Sequence, residues 1–447
     1  MRIAVIGAGA AGLAAAYDLA RAGHEVIVYE AGAEVGGLAA GFRDEKWDWS
    51  LEKFYHHWFY TDKDILRLLK EIGCAHKVRF YSPTTSIWHP QGIYPLDAPV
   101  VRSATLSRVI NVFRIPGLSL LDKLRFGAVG AFLKLYPFGI TLERYTADAW
   151  LLRWVGRRAH EEVWRPLLIG KFGPLYDQVN MAWMWARAYK RTAQLGTYVG
   201  GFQAALEDLA EAVRARGAAI VLNTPVERVI PLSSGGLEVT VRGQSERFDQ
   251  VLCTASPGLL LKIAPDLPEP YAGKVRALRS MGAIALILAL DRQLMTDGTY
   301  WLNLPARSPN RYENPFPFLA LVEHTNYVSP QHFGGDHIVY LGDYLPPDHE
   351  HFRLSEEELA ARFLPALTQV NPDFSPTWIR KRWLFRVPYA QPVPLVNHSR
   401  NLPAIRTPIA GLYFASMSQV YPWDRGTNYA VEIARRAARM MLQDGLG

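Results

Sequence analysis

Cysteine is nearly absent. Cys74 and Cys253 are the only two in 447 residues, which excludes a disulfide framework and a four-cysteine zinc site and fits a reducing, cytoplasmic compartment. Long hydrophobic runs are also missing. The longest, Met281 to Leu290, stops at Asp291, about half of the roughly 20 residues a membrane-spanning helix needs. The first apolar run, Ile3 to Ile6, leads straight into glycines with no cationic leader or small-residue cleavage site, so it reads as structure and not as a signal peptide. Asp348-His349-Glu350-His351 lies in a polar, proline-flanked stretch with no further ligand at a recognisable spacing; it reads as solvated charge, and no metal is expected. With no Lys/Arg-rich run or nucleic-acid-binding motif, no nucleic-acid partner is expected either.

What is present is the composition of a globular protein, 49% hydrophobic and 20% charged, which excludes a disordered scaffold. The net charge of +7 is concentrated: residues 101–200 hold fifteen Lys/Arg against six Asp/Glu, together with five of the thirteen Trp. Cations mixed with tryptophan suit a phosphate-bearing ligand or peripheral contact with an anionic membrane surface, and equally a helical subdomain whose cations are simply solvated.

The N-terminus carries the sharpest motif. Ile3 to Ile6 reads as a buried strand, Gly7-Ala8-Gly9-Ala10-Ala11-Gly12 as a turn, Leu13 to Ala22 as a helix closed by Gly23, and Glu25 to Tyr29 as a second strand, with Glu30 following 18 residues after Gly12. This is the strand-turn-helix-strand unit of a dinucleotide-binding α/β fold. Gly7 permits the tight turn, Gly9 lets backbone N–H groups, with Ala10 and Ala11, approach a pyrophosphate, and Gly12 allows close packing of helix on strand. Glu30 accepts hydrogen bonds from ribose hydroxyls and repels a 2′-phosphate, which disfavours NADP. A second glycine pair follows in Ala31-Gly32-Ala33-Glu34-Val35-Gly36-Gly37-Leu38.

With that second pair the chain resembles the FAD-dependent amine oxidase superfamily, which includes protoporphyrinogen oxidases and phytoene desaturases. The resemblance implies a Rossmann-type domain binding FAD non-covalently, interrupted by a substrate domain made of a helical subdomain and a mixed β-sheet. It divides the chain into cofactor segments 1–85, 195–275 and 395–447, a helical subdomain at 86–194 and a substrate-domain sheet at 276–394. Relatives run the Gly36-Gly37 stretch, with Ala31 and Leu38, along the FAD pyrophosphate, and place the backbone at Val226 against the adenine. They set the helix opening at Gly426-Thr427-Asn428 beneath the flavin pyrimidine ring. Ser416-Met417 stands where relatives carry Gly and an acid that binds the ribityl chain, so Ser416 offers a hydroxyl there instead.

Two clusters hold the candidate catalytic side chains. In Glu52-Lys53-Phe54-Tyr55-His56-His57-Trp58, His56 or His57 is placed by the resemblance near the isoalloxazine as a proton donor or a ring support; packing of a domain junction is the competing reading. In Tyr421-Pro422-Trp423-Asp424-Arg425, Arg425 can meet an anionic substrate group or the reduced flavin while Tyr421 walls the ring; an ordinary loop with Asp424 paired to Arg425 competes.

The function this implies is oxidation or dehydrogenation of a largely apolar, isoprenoid- or tetrapyrrole-like small molecule by hydride transfer to flavin N5. Two alternatives stay open. Lys53 to Lys63 is similar to the aromatic and histidine loop of UDP-galactopyranose mutases, and a non-catalytic FAD-binding regulator or escort would carry the same cofactor motifs. The sequence leaves the oligomeric state undetermined.

Overall fold

The computed structural model describes residues 1–97, 110–111, 113–114 and 116–445. Its organising layer is a five-stranded parallel sheet in the order Ala219–Val221, Glu25–Tyr29, Arg2–Ile6, Gln250–Cys253 and Leu412–Phe414. Strands this far apart in sequence share one sheet because its inner strands are apolar enough to be covered on both faces, while the edge strand Ala219–Val221 stays partly exposed. Ile3, Ala4, Val5, Val251, Leu252 and Phe414 are fully buried.

The helix Ala10–Arg21 crosses from the first strand to the second and packs between the helices Gly201–Arg214 and Thr427–Asp444. Its interior face is small, with Ala14, Ala15 and Ala16 at zero exposure, which lets the helices approach closely. Arg435 locks the layer by pairing with Asp18 at 2.9 Å and with Glu71. Beside it, Val226–Pro231, Leu237–Val241 and Gln244–Phe248 form an antiparallel meander. Its middle strand alternates buried and half-buried residues, the period-two pattern of a sheet with one face on the core.

A second, seven-stranded mixed sheet runs in the order Ile379–Pro392, Ser280–Leu290, His337–Leu345, Ala320–Glu323, Thr299–Asn303, Thr84–His89 and Gly92–Pro95. The long apolar run of the sequence is the second strand of this sheet. Ile284, Leu286, Leu288 and Leu290 join one core with Phe316, Phe318 and Phe363, whereas Ala285, Ile287 and Ala289 join another with Trp47, Tyr300 and Tyr340. The proline-rich stretch 387–394 continues an edge strand as far as Pro392, with a register shift opposite Met281/Ala283, where proline's missing N–H costs least.

Helices Leu120–Leu135, Ala147–Val155, Arg165–Phe172 and Met181–Lys190 form the helical part. Ser119 and Asp122 make a reciprocal capping box on the first, and Asn180 caps the last by accepting from Trp183 N at 3.0 Å. Their shared core holds Leu133, Leu151, Val155, Phe172 and Trp183. No helix among the described residues is long and apolar enough to cross a membrane.

Candidate active site

The two glycine turns meet. A Cβ on Gly12 would lie 1.8 Å from the Gly7 carbonyl oxygen, so only glycine lets the helix start this close to the first strand. Gly7 adopts φ +103° against Thr254. Gly9 bridges to Gly36, Gly36 N donates to the Ala8 carbonyl at 2.9 Å, and Gly37 at φ +58° brings its own backbone beside Gly9. Ala10 and Ala11 open the helix, and Leu38 sits in the short turn Gly37–Ala39. The outcome is bare backbone on two sides of one cleft at a helix N-terminus, where N–H groups serve an anion.

Glu30 closes the far end. Its carboxylate accepts from Ala8 N and from Gly32 N, each at 2.8 Å, while its carbonyl accepts from Thr224 N at 2.8 Å and the Gly32 carbonyl accepts from Asn223 N at 2.9 Å. These bonds bring the segment leading to Val226 alongside Glu30 and Ala31. Glu30→Ala is expected to weaken FAD binding by about one to two orders of magnitude, since it removes a charge-assisted acceptor; an unchanged dissociation constant would remove Glu30 from the site.

The long helix Thr427–Asp444 begins at Gly426. Thr427 Oγ1 accepts from Trp58 Nε1 at 2.7 Å, which joins the histidine loop to the helix start. Asn428 has a local task instead: its Oδ1 accepts from Asp64 N at 2.8 Å and Ile65 N at 3.2 Å, capping the helix Lys63–Glu71 from across the fold. Ser416 is likewise turned inward, its hydroxyl accepting from Ser418 N at 3.2 Å beside Tyr389.

In the histidine loop the two imidazoles face different neighbours, His56 toward Phe202 and His57 toward Phe59. His56 Nδ1 donates to the Phe54 carbonyl, whereas His57 Nδ1 is buried without a partner among the described residues. Burial pushes His56 down to about 4 and His57, which also feels Arg191, down to about 3. Both rings are therefore neutral near pH 7.

A histidine whose folded value is depressed contributes stability that is present above its unfolded value of about 6.5 and lost as the pH falls. His57→Phe is expected to flatten the unfolding free energy between pH 7.5 and 5 by about 2 kcal/mol. Parallel pH profiles for the two proteins would contradict a neutral His57. Glu52, at the base of the loop, accepts from Phe202 N at 2.8 Å, and burial raises it to about 7. Tyr55 packs edge-on against Trp301 and Tyr340.

The second cluster is joined differently from the sequence expectation. Asp424 pairs through its side chain with Arg187, accepts from Trp183 Nε1 at 3.1 Å, and meets Arg425 only through that residue's backbone N. Arg425 reaches the other way, donating to Gln391 Oε1 at 3.0 Å and to the Tyr344 hydroxyl. The Tyr421 hydroxyl donates to Glu143 at 2.9 Å and accepts from Asn180 at 3.1 Å. Lys171, buried over the Tyr344 ring at 4.5 Å, completes the group.

Arg187, Tyr344 and Gln391 carry no local signal in the sequence and Lys171 only that of a cation in the basic region, because four separate chain segments bring them to the Asp424 loop. The Asp348–His351 stretch also differs from its solvated reading, since His351 is buried against Phe363 and Tyr312.

A parallel sheet with paired glycine turns at a helix N-terminus, an acid at the end of the second strand and a second sheet beside it define a dinucleotide-binding α/β fold. The sequence profile of the flavin-containing amine oxidoreductases matches residues 10–442, and the chain belongs to that family. It is 26% identical over 323 residues to a 15-cis-phytoene desaturase of Synechococcus elongatus, covering 66% of each chain. It is also 30% identical over 132 residues to a probable zeta-carotene desaturase of the same organism, of which it spans 26%. Among solved structures, a putative protoporphyrinogen oxidase from Exiguobacterium sp. 255-15 superposes with a TM-score of 0.74 at 19% identity, covering 99% of both chains. Cyclohexylamine oxidase from Brevibacterium oxydans superposes with a TM-score of 0.70 at 15% identity, over 100% of this chain and 99% of the other.

The residues present fit the flavin this family carries. The cleft between Gly9 and Gly36-Gly37 has backbone where a side chain would block a pyrophosphate, and a Cβ at Gly36 would fall 2.9 Å from Ala40.

Proposed function

We propose that the protein binds FAD non-covalently and dehydrogenates a largely apolar small molecule, with segments 1–85, 195–275 and 395–447 holding the cofactor and 86–194 with 276–394 forming the substrate side. Bound FAD supplies a two-electron acceptor that takes a hydride from a substrate carbon. The chain supplies position and environment. Gly7, Gly9 and Gly12 with Gly36 and Gly37 hold the pyrophosphate, Glu30 the adenosine ribose, and the N-terminus of Thr427–Asp444 favours negative charge on the ring side. Tyr55, His57 and Trp58 exclude water from that side.

The observation that carries the apolar reading is the surface of the helical part. Leu121, Leu124, Ala128 and Leu135 lie along one exposed face of Leu120–Leu135, opposite its buried Val129 and Leu133. Leu135 is 78% exposed, and Phe138 and Trp154 of the same helical part are exposed as well. Exposed Arg125, Arg144, Arg153 and Arg157 accompany it. An apolar face beside cations matches an anionic lipid surface, from which a water-insoluble substrate can be drawn.

The reading is tested by following the visible flavin spectrum anaerobically while isoprenoid hydrocarbons in anionic liposomes, or nucleotide sugars, are added. Bleaching by the hydrocarbon is expected, with co-sedimentation on the liposomes that Leu121→Glu with Leu124→Glu abolishes. A spectrum that responds only to nucleotide sugars, and only once the flavin is reduced, would replace this reading with a mutase.

A further inference from the structure

The cations around Asp424 outnumber the acids that meet them. Lys171, Arg187 and Arg425 all act on this one carboxylate, and their remaining close neighbours Tyr344, Gln391 and Trp183 are neutral. Gln391 is already committed: its Oε1 accepts from Lys171 at 3.3 Å and from Arg425 at 3.0 Å. That 3.3 Å bond is the hydrogen bond that Lys171 Nζ makes among the described residues, so a group with three donors is underused. Buried positive charge in excess is costly unless a lysine gives up its proton or an anion enters. Burial among guanidinium groups accordingly holds the Lys171 ammonium well below the usual lysine range.

The cluster is also built to keep its shape. Arg311 and Asp343 form a fully buried ion pair at 2.8 Å. Arg311 Nη2 donates to the Gly170 carbonyl at 2.9 Å and the Tyr344 carbonyl at 3.2 Å. One ion pair thus fixes the backbone beside Lys171 and at Tyr344, the two residues that face Arg425 from the helical part and the mixed sheet. Arg425 in turn is adjacent to Gly426, where the C-terminal helix begins.

We propose that Lys171, Arg425 and Tyr344 form an oxyanion-recognition subsite that receives a carboxylate or phosphate carried by the substrate. The guanidinium offers a planar fork, the ammonium a point charge and the phenol a third donor, a set suited to a trigonal or tetrahedral oxyanion. The substrate class becomes an amphipathic molecule with an apolar body and an anionic end. This deepens the dehydrogenase reading and rests on it for the apolar body.

The test is a flavin-spectrum titration of the FAD-loaded protein with farnesoate, with its uncharged methyl ester, and with pyrophosphate. Farnesoate is expected to bind at least about tenfold more tightly than the ester. Lys171→Met should bring the acid down to the affinity of the ester, and Lys171→Arg should keep the preference; flavin content and melting temperature establish that both variants fold. Equal affinity for acid and ester, or a preference that survives Lys171→Met, overturns the subsite and leaves the apolar reading standing. A Lys171→Met effect confined to the flavin reduction potential also overturns it, since the cluster would then serve the cofactor. Lys171-dependent pyrophosphate binding with no response to either isoprenoid keeps the subsite and removes the apolar reading. Silence from all three removes both.

Discussion

Gly12→Ala is expected to purify without bound flavin and to lose about 3 kcal/mol of stability, the upper range for forcing an extra methyl into a closed contact. The methyl would sit 1.8 Å from the Gly7 carbonyl oxygen and 2.9 Å from its carbon. These are backbone atoms of the turn itself, so no rotamer change relieves the clash. Either the helix Ala10–Arg21 lifts off the strand or the turn opens, and both separate Gly9 from Gly36. The flavin-to-protein absorbance ratio and a urea titration measure the two effects. Gly127→Ala is the matched control: nothing lies within 4 Å of its added methyl in the helix Leu120–Leu135, so it should keep its flavin and gain about 0.5–1 kcal/mol. A Gly12→Ala protein with full flavin content would contradict the cradle as described.

Asp424→Ala is expected to cost about 2–3 kcal/mol, between a surface bridge and a fully buried pair, because the Arg187–Asp424 pair is half-buried. It would leave Arg187, the indole N–H of Trp183 and the backbone N–H of Arg425 without their acceptor. It would also leave Lys171 and Arg425 facing Arg187 with no carboxylate between them. Asp424→Asn keeps the shape and an acceptor oxygen and should lose less. Arg187 and Lys171 hold the Asp424 carboxyl well below its ordinary value against the opposing effect of burial. A depressed acid contributes stability above its unfolded value and loses it only as the pH falls through the folded one. The titration of Asp424 itself therefore adds no slope above about pH 5, and a slope at higher pH in the difference between Asp424→Ala and the unaltered protein reports Lys171, whose ammonium Asp424 helps to hold. Urea unfolding at several pH values checks it; a loss below about 1 kcal/mol would place the pair in the class of solvent-screened surface bridges.

The cofactor side was legible in the sequence because its constraints are local. Gly7, Gly9, Gly12 and Glu30 lie within one strand-turn-helix-strand unit, and backbone sterics fix their spacing. The Val226 strand and the Thr427–Asp444 helix were readable for the same reason, from periodicity and flanking glycine. The Met281–Leu290 run was long enough to be a strand and too short to span a bilayer, and the structure buries both of its faces. What stayed hidden depends on contacts across the chain. The side chain of Asn428, read from the sequence only as part of a helix start, caps Lys63–Glu71 more than 360 residues away in the chain. The competing loop reading paired Asp424 with Arg425, whereas Arg187 claims its side chain, and Glu143 and Asn180 claim the Tyr421 hydroxyl, from the helical part. Lys171 belongs to the basic, tryptophan-containing region 101–200 that the sequence offered to a phosphate-bearing ligand, but its particular neighbours Arg187, Arg425 and Gln391 come from distant segments.

The most direct measurement is an anaerobic single turnover of the FAD-loaded protein with a saturated or partly saturated isoprenoid delivered in anionic liposomes, following flavin absorbance and analysing the extracted lipid by mass. The expected result is one new carbon–carbon double bond, a loss of two hydrogens from the isoprenoid, for each flavin reduced. Reduced flavin without a desaturated product, or an oxidised flavin that remains unchanged beside every apolar candidate while the protein stays bound to the liposomes, would contradict dehydrogenation of an apolar substrate.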